Sequence, residues 1–229
     1  MNKTKNLIFD LDGTLVDSAP GIICALELSF AACNIAPSLP IGAISIGPPL
    51  RELLGTLAPT ASRSELDFLA QTFANFYDSD GCRNSPFFPG VNKMLLDLHN
   101  SPDTLYLITN KRAKPTSTIL ANHGWTKYFS KILSPDSFGS TALSKKQLIL
   151  NLIQLESLSP DACMYLGDSY GDYIASIDAG INFARAEWGY TDIRLDSENL
   201  LLSFTTPIAF TFSMQSTHGT TEQLPKSGN

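Results

Sequence analysis

The sequence is poor in cysteine and has no paired cysteine motif. Its four cysteines are scattered, and no two of them form a Cys-x-x-Cys pair; they are Cys24, Cys33, Cys82 and Cys163. This distribution speaks against a disulfide framework of the kind that stabilises small secreted domains. We therefore expect reduced, structural thiols in a cytoplasmic protein.

The sequence also lacks a long apolar run and an excess of positive charge. The apolar stretch before Asp10 is short and ends in acids, so we expect neither a secretory segment nor a membrane span. The net charge at pH 7 is −6, which leaves no basic excess to neutralise nucleic-acid phosphates. We therefore expect neither a membrane nor a nucleic acid as partner. An anionic substrate must be held by local cations and a metal.

What remains is an ordinary globular composition over 229 residues, with 43% apolar and 17% charged residues. That length suits one large domain, or one domain with a small companion. From residue 89 onward, short apolar segments alternate with amphipathic stretches, which predicts an α/β fold with a doubly wound parallel sheet. Between residues 16 and 88 the pattern predicts helices and no convincing strand.

The first predicted strand ends in a pair of acids. The apolar residues 7–9 run directly into Asp10-Leu11-Asp12-Gly13. Open α/β sheets bind ligands at the carboxyl ends of their strands, so both carboxylates should lie at that edge. Two close carboxylates attract a hard divalent cation such as Mg²⁺, and an aspartate can also attack phosphorus as a covalent nucleophile. Taken alone, such a tetrapeptide is most often a surface turn.

A second apolar segment ends in a hydroxyl, an amide and a cation. These groups belong to Thr109, Asn110 and Lys111. The Thr109 hydroxyl could donate to a phosphate oxygen, as could the backbone N–H groups of the following turn. The competing interpretation is that Thr109 caps a helix.

Two adjacent lysines open a later amphipathic helix. Lys145 and Lys146 follow Ser144, and apolar residues then recur at helical spacing from Leu148. A lysine at a helix start opposes the helix dipole, which favours a functional role for one of the pair. We prefer Lys145 because it lies nearer the start of the helix, although a solvated charge is the default for either residue.

A third predicted strand ends in another pair of acids. Asp168 falls at the strand end and Asp172 in the first turn of the helix that follows. Both carboxylates can face the same ion. An acid in a first helical turn also interacts favourably with the helix dipole, so Asp172 has a structural interpretation as well.

Together, these four motifs resemble the haloacid dehalogenase superfamily, in the phosphatase branch that carries a helical cap after the first motif. The matching residues are Asp10-x-Asp12-Gly13-Thr14, Thr109, Lys145 or Lys146, and Gly167-Asp168-Ser169-x-x-Asp172. The resemblance covers residues 5 to about 190. It implies a Rossmann-like core over residues 1–15 and 89–212 and an all-helical cap over residues 16–88.

The segment after Gly189 is hard to assign. The resembled family closes its core here with a helix and a strand, so we expect a helix over residues 196–202 and a strand over residues 207–212. Residues 213–229 are rich in Ser, Thr, Gly, Gln and Pro, which predicts a disordered tail.

The resemblance implies a two-step phosphoryl transfer. Asp10 would attack phosphorus, while Asp12 would protonate the leaving oxygen and then accept a proton from water. Mg²⁺ would be bound by Asp10, Asp168 and the backbone carbonyl of Asp12, with Asp172 acting through a bound water.

The resemblance also implies which residues bind the phosphate and which kind of molecule is the substrate. Thr109, Asn110 and Lys145 would hold the non-bridging oxygens of the phosphate. The expected partner is a small phosphorylated metabolite, and the expected assembly is a monomer or a homodimer. In the cap, residues 47–51 resemble the substrate-facing segment of phosphoglycolate phosphatases, where Arg51 could bind a second anion on the substrate. A solvated helix arginine is the competing interpretation of Arg51.

Two other functions stay open on the same fold. In a sugar-phosphate mutase, the aspartyl-phosphate would be returned to a sugar. In a catalytically silent phospho-ligand-binding protein, Asp10 and Asp12 would have no reason to occur together. The sequence does not distinguish phosphoglycolate, a sugar phosphate, a nucleotide or pyrophosphate as substrate.

Overall fold

The computed structural model describes residues 5–43, 49–139, 141–190, 192–197 and 202–216. Within these ranges the chain forms a parallel six-stranded sheet with helices on both faces. A group of helices is inserted after the first strand. The predicted doubly wound α/β fold with an inserted helical segment is confirmed.

Every strand of the sheet pairs in parallel with its neighbours. The strands are β1 (Asn6–Phe9), β2 (Thr104–Ile108), β3 (Lys131–Leu133), β4 (Cys163–Gly167), β5 (Asn182–Ala186) and β6 (Ser203–Phe204). Their order is β3-β2-β1-β4-β5-β6. The strand order therefore reverses at β1, and such a point opens a crevice at the carboxyl edge of the sheet. Phe9 is level with Leu107 and Leu166, so the residues after β1, β2 and β4 meet at that edge.

The α-helices divide into an inserted group and a group that covers the sheet. The inserted helices are α1 (Ala19–Ala32), α2 (Leu50–Leu57) and α3 (Arg63–Ser79). The helices of the core are α4 (Val91–His99), α5 (Ala113–Asn122), α6 (Lys145–Glu156), α7 (Tyr170–Asp178) and α8 (Pro207–Ser216). None of the helices in the described ranges is long and apolar enough to cross a membrane.

The inserted group, called the cap below, is helical as predicted. Its described residues between 16 and 88 form no strand beyond isolated bridges such as the one between Val16 and Phe87. That bridge joins the two ends of the insertion where they leave the core. The cap therefore projects from the carboxyl end of β1.

Helix α3 illustrates how the sequence fixes the cap. Ser62 and Glu65 form a capping box, in which each side chain accepts a hydrogen bond from the other residue's backbone N–H. Along the helix, Leu69, Phe73 and Tyr77 recur every four residues and are buried. This spacing puts all three side chains on one face, which packs against α1 and the core.

Strand β1 is buried on both faces of the sheet. Leu7 and Phe9 belong to one apolar cluster and Ile8 to the other, and all three are fully buried. A strand covered on both faces is apolar at every position, which explains the uninterrupted run in the sequence.

The C-terminal part differs from the prediction. Residues 207–212, predicted as a strand, form the first part of α8, which extends to Ser216 and so includes four residues of the predicted disordered tail. Pro207 suits the first turn of a helix, and Phe210 and Met214, one turn apart, are buried. Of the helix predicted over residues 196–202, the structure has a short 3₁₀-helix at Ile193–Ser197, and residues 198–201 lie outside the described part, as do residues 217–229.

Candidate active site

Asp10 lies at the carboxyl end of the central strand. Its N–H donates to the Leu166 carbonyl at 3.0 Å, which continues the β1–β4 ladder by one residue. The side chain is buried, with 7% of its surface exposed. Gly13 turns the chain away with a φ of +83°, and a side-chain carbon at this position would collide with the Asp168 carboxylate. The glycine is therefore required both by the turn and by the close approach of the second acidic pair.

Lys145 reaches the same place from the start of α6. A capping box between Ser144 and Gln147 begins the helix and fixes the direction of its first residues. The buried Lys145 Nζ donates to Asp10 Oδ1 at 2.9 Å and also to Asp172 Oδ1. Lys146, in contrast, is turned to the surface and pairs with Asp178. The structure thus brings Lys145 and not Lys146 to the carboxylates.

The second acidic pair is held by hydrogen bonds that leave little freedom. Asp168 accepts from the Thr14 hydroxyl at 3.0 Å and from the Tyr190 N–H at 3.1 Å. Asp172 closes a capping box with Ser169, whose N–H donates to Asp172 Oδ2 at 3.1 Å. Asp172 therefore stabilises the start of α7 and also lies in the site.

Thr109 and Asn110 line the same small polar pocket as the acids. Its lining residues are Asp10, Asp12, Thr109, Asn110, Lys145, Asp168 and Ser169. Thr109 is buried, and its Oγ1 accepts from the Lys111 N–H at 3.1 Å, which tightens the turn after β2. The predicted phosphate-binding residues thus share one pocket with Asp10, Asp12 and Asp168.

The pocket concentrates negative charge. Burial raises the pKa of Asp10 to about 7, with further increases from Asp172 and Asp12, whereas Lys145 opposes the rise. Burial, Asp172 and Asp10 raise the pKa of Asp168 well above its usual range. Lys145 alone does not neutralise the three buried acids of this cluster, so the pocket favours a bound cation.

The geometry of these acids fits a hard divalent cation. Among the described residues, Asp10, Asp168 and Asp172 each offer one carboxylate oxygen, and these oxygens lie within 4.8 Å of one another. Such an all-oxygen donor set suits Mg²⁺ or Ca²⁺. The Asp12 carboxylate lies outside this group of three and forms an ion pair with Lys111 at 3.1 Å. The predicted ligand from Asp12 is its backbone carbonyl.

A larger cavity of about 120 Å³ adjoins the polar pocket between the cap and the core. It is mostly apolar, and its lining residues are Asp12, Ile22, Leu50, Leu53, Phe73, Tyr77, Asn110, Lys111, Arg112 and Pro115. No role was predicted from the sequence for Lys111, Arg112 or Tyr77. Two features of the sequence could have indicated a role for Lys111. It directly follows Thr109 and Asn110, and residues 16–88 contain no lysine.

Arg51, predicted to bind a second anion on the substrate, is not among the residues that line this cavity. Leu50 and Leu53 face the cavity, and Arg51 is rotated about 100° around the helix from Leu50. The Arg51 side chain is 68% exposed and forms an ion pair with Asp67 of α3. Residues 47 and 48 of the predicted substrate-facing segment lie outside the described part of the chain.

Fold and site together define a class of enzyme. A parallel sheet carries acids at the ends of β1 and β4, a buried lysine comes from α6, and a helical cap covers the pocket. The model of the haloacid dehalogenase-like hydrolase family matches residues 7–186. The chain belongs to this family.

Individual relatives agree with this assignment. A phosphoglycolate phosphatase of Vibrio vulnificus is 32% identical over 196 residues, which cover 81% of this chain and 85% of the relative. The phosphoglycolate phosphatase of Vibrio cholerae is 30% identical over 206 residues, covering 83% and 87%. A haloacid dehalogenase-like hydrolase structure from Streptococcus pneumoniae has a TM-score of 0.79 at 24% identity, covers 94% of this chain and 100% of its own, and supports the fold. Family and relatives confirm the predicted enzyme class, a phosphoric monoester hydrolase.

Proposed function

We propose that this enzyme is a Mg²⁺-dependent phosphatase that hydrolyses a small phosphomonoester through an aspartyl-phosphate on Asp10. The observation that carries the proposal is the environment of Asp10. It is a buried carboxylate at the end of the central strand, it is hydrogen-bonded to Lys145, and it shares a pocket with Thr109 and Asn110. A carboxylate among phosphate-binding groups is placed to attack phosphorus rather than to stabilise the fold.

In the first step, an Asp10 carboxylate oxygen forms a bond to phosphorus as the bond to the leaving oxygen breaks. Asp12 lines both the polar pocket and the larger cavity, so it lies where the leaving group departs. Asp12 gives its proton to the leaving oxygen, which departs as an alcohol.

In the second step, water attacks the phosphorus of the aspartyl-phosphate. Asp12, now ionised, accepts a proton from this water, and the bond between phosphorus and Asp10 breaks. The products are inorganic phosphate and regenerated Asp10. Lys145, Thr109 and Asn110 hold the non-bridging oxygens in both steps.

The acidic cluster is the proposed metal site. Asp10, Asp168 and the backbone carbonyl of Asp12 would hold Mg²⁺, with Asp172 acting through water. When bound, Mg²⁺ neutralises charge on the phosphate oxygens and screens them from the attacking carboxylate. The close approach of three buried carboxylate oxygens supports this assignment.

The cavity of about 120 Å³ beside the polar pocket gives room for the leaving group of the substrate. The names of the relatives favour phosphoglycolate.

A phosphate-release screen with and without Mg²⁺ tests the proposal. The panel contains 2-phosphoglycolate, glycerol phosphate, a hexose phosphate and a nucleoside monophosphate, with the Asp10→Asn variant as the matched control. We expect Mg²⁺-dependent release that favours 2-phosphoglycolate and is lost in the variant. Sugar isomerisation without net phosphate release would indicate the mutase instead, and ligand binding without turnover would indicate a silent binding protein.

A further inference from the structure

A buried lysine links the cap to Asp12. Lys111 follows β2 in the core, and its Nζ lies 3.1 Å from Asp12 Oδ1. The same Nζ donates to the Tyr77 hydroxyl of cap helix α3 at 2.7 Å and lies 4.5 Å from the centre of the Tyr77 ring. Only 6% of the Lys111 side chain is exposed. One cation therefore contacts the catalytic acid on one side and the cap on the other.

The position of Lys111 is fixed from the cap side. Tyr77 is buried and stacks on Phe73, with ring centres 5.3 Å apart and an angle of 10° between the planes. Lys111 Nζ is thus held between the Asp12 carboxylate and the Tyr77 hydroxyl, and its place depends on how the cap sits.

We propose that Lys111 is a positioning residue for Asp12 and that Tyr77 makes this positioning depend on the seating of the cap. The inference rests on the proposed role of Asp12 as general acid. With Oδ1 anchored by Lys111, the second oxygen of Asp12 is directed toward the leaving oxygen of the substrate. When the cap lifts, Tyr77 leaves Lys111 and Asp12 loses this constraint. Protonation of the leaving group is thereby restricted to the closed site.

A neighbouring contact provides a matched control. Arg112 follows Lys111 in the core, and Asp78 follows Tyr77 in the cap. Arg112 donates to Asp78 Oδ1 at 2.6 Å, which is a second bond between core and cap. Asp78 does not line the cavity between cap and core. The Asp78→Asn variant therefore weakens the attachment of the cap without changing the contact with Asp12.

The test uses two substrates of similar size that differ in their need for an acid. Ethyl phosphate must lose ethoxide, which requires a proton, whereas acetyl phosphate loses acetate, a stable anion. The measured quantity is kcat/KM, which covers the steps up to departure of the first product and excludes hydrolysis of the aspartyl-phosphate. A purely structural role of Lys111 would affect both substrates equally.

For Lys111→Met we expect kcat/KM on ethyl phosphate to fall about 10- to 100-fold, because general acid catalysis contributes about 10²- to 10⁴-fold. On acetyl phosphate kcat/KM should change by no more than about threefold, because acetate leaves without a proton. Tyr77→Phe should show the same selectivity with a smaller loss, and Lys111→Arg, which keeps the cation, should recover part of the activity. In Asp78→Asn both contacts of Lys111 are kept whenever the cap is seated, so the selective loss on ethyl phosphate should be smaller than in Tyr77→Phe.

Two results would overturn the inference. Equal losses on both substrates in Lys111→Met would show that Lys111 does not act through Asp12; if that variant does not fold, the same result in Tyr77→Phe decides. The Asp12→Asn variant separates this failure from that of the proposed function. A selective loss in Asp12→Asn without one in the Lys111 and Tyr77 variants refutes the positioning role only, whereas no selective loss in Asp12→Asn refutes the acid role of Asp12 as well.

Discussion

At the scale of single residues, the site places three buried carboxylates next to one buried ammonium group. Asp10, Asp168 and Asp172 repel each other, and Lys145 bonds to only two of them. Removing charges from water without full pairing costs stability. The residues that make the pocket suitable for a metal and a phosphate thus destabilise the metal-free fold.

The first prediction concerns the pH dependence of stability in the metal-free enzyme. The pKa of Asp10 is about 7 in the fold and about 4 in an unfolded chain. Between these values the folded state binds more protons than the unfolded state, so stability falls as pH rises from about 4 to about 7. Thermal unfolding should therefore show a smaller fall in Tm over this range for Asp10→Asn than for the wild type. An identical fall in both proteins would contradict the prediction, as would a failure of Mg²⁺ to raise the wild-type Tm at pH 8.

The second prediction compares two acids of the cluster. Asp168→Asn should raise the Mg²⁺ concentration needed for half-maximal activity more than Asp172→Asn does, because Asp168 is the proposed direct ligand. Loss of a direct ligand should raise this Mg²⁺ concentration by more than the factor of about 10 to 100 that loss of a supporting residue causes. Asn in place of Asp172 can still accept from the Ser169 N–H, so the start of α7 is kept. A Mg²⁺ titration of both variants measures the order, and the reverse order would show that Asp172 is the direct ligand.

At the scale of secondary structure, the sequence predicted the strands that carry the site better than the C-terminal elements. β1, β2 and β4 are apolar runs that end in polar residues, a pattern that predicts buried parallel strands. Residues 207–212 are also an apolar run, yet they form a helix. A short apolar run does not distinguish a strand from a buried helix, and the choice here depends on packing between Phe210 and distant residues.

The third prediction tests the corrected assignment of α8. Phe210 is fully buried and makes edge-on contacts with Phe9 and Phe204, whereas Phe212 on the same helix is 74% exposed. Phe210→Ala should lower the free energy of unfolding by about 3–5 kcal/mol. Phe212→Ala, the matched control, should change it by no more than about 0.5 kcal/mol. Urea denaturation measures both, and similar losses in the two variants would contradict this placement of the helix.

At the scale of the whole molecule, the cap and the core meet across the cavity that adjoins the acids. The residues predicted from strand ends lie together because parallel strands end at one edge. Contacts between cap and core were not predictable in the same way. Tyr77 and Lys111 are 34 positions apart, and their meeting depends on how the helices of the cap pack. The same packing turns Arg51 away from the cavity, although its place in the sequence indicated a substrate contact.

The central claim is that Asp10 becomes phosphorylated during turnover. The most direct test mixes enzyme, Mg²⁺ and an excess of substrate, quenches the mixture in acid within milliseconds, and measures the mass of the peptide that contains Asp10. We expect one phosphoryl group on this peptide in the wild type and none in Asp10→Asn, whose turnover should fall by at least about 10³-fold. Rapid turnover in Asp10→Asn, or a phosphoryl group on a different residue of the wild type, would contradict the role of Asp10 as nucleophile.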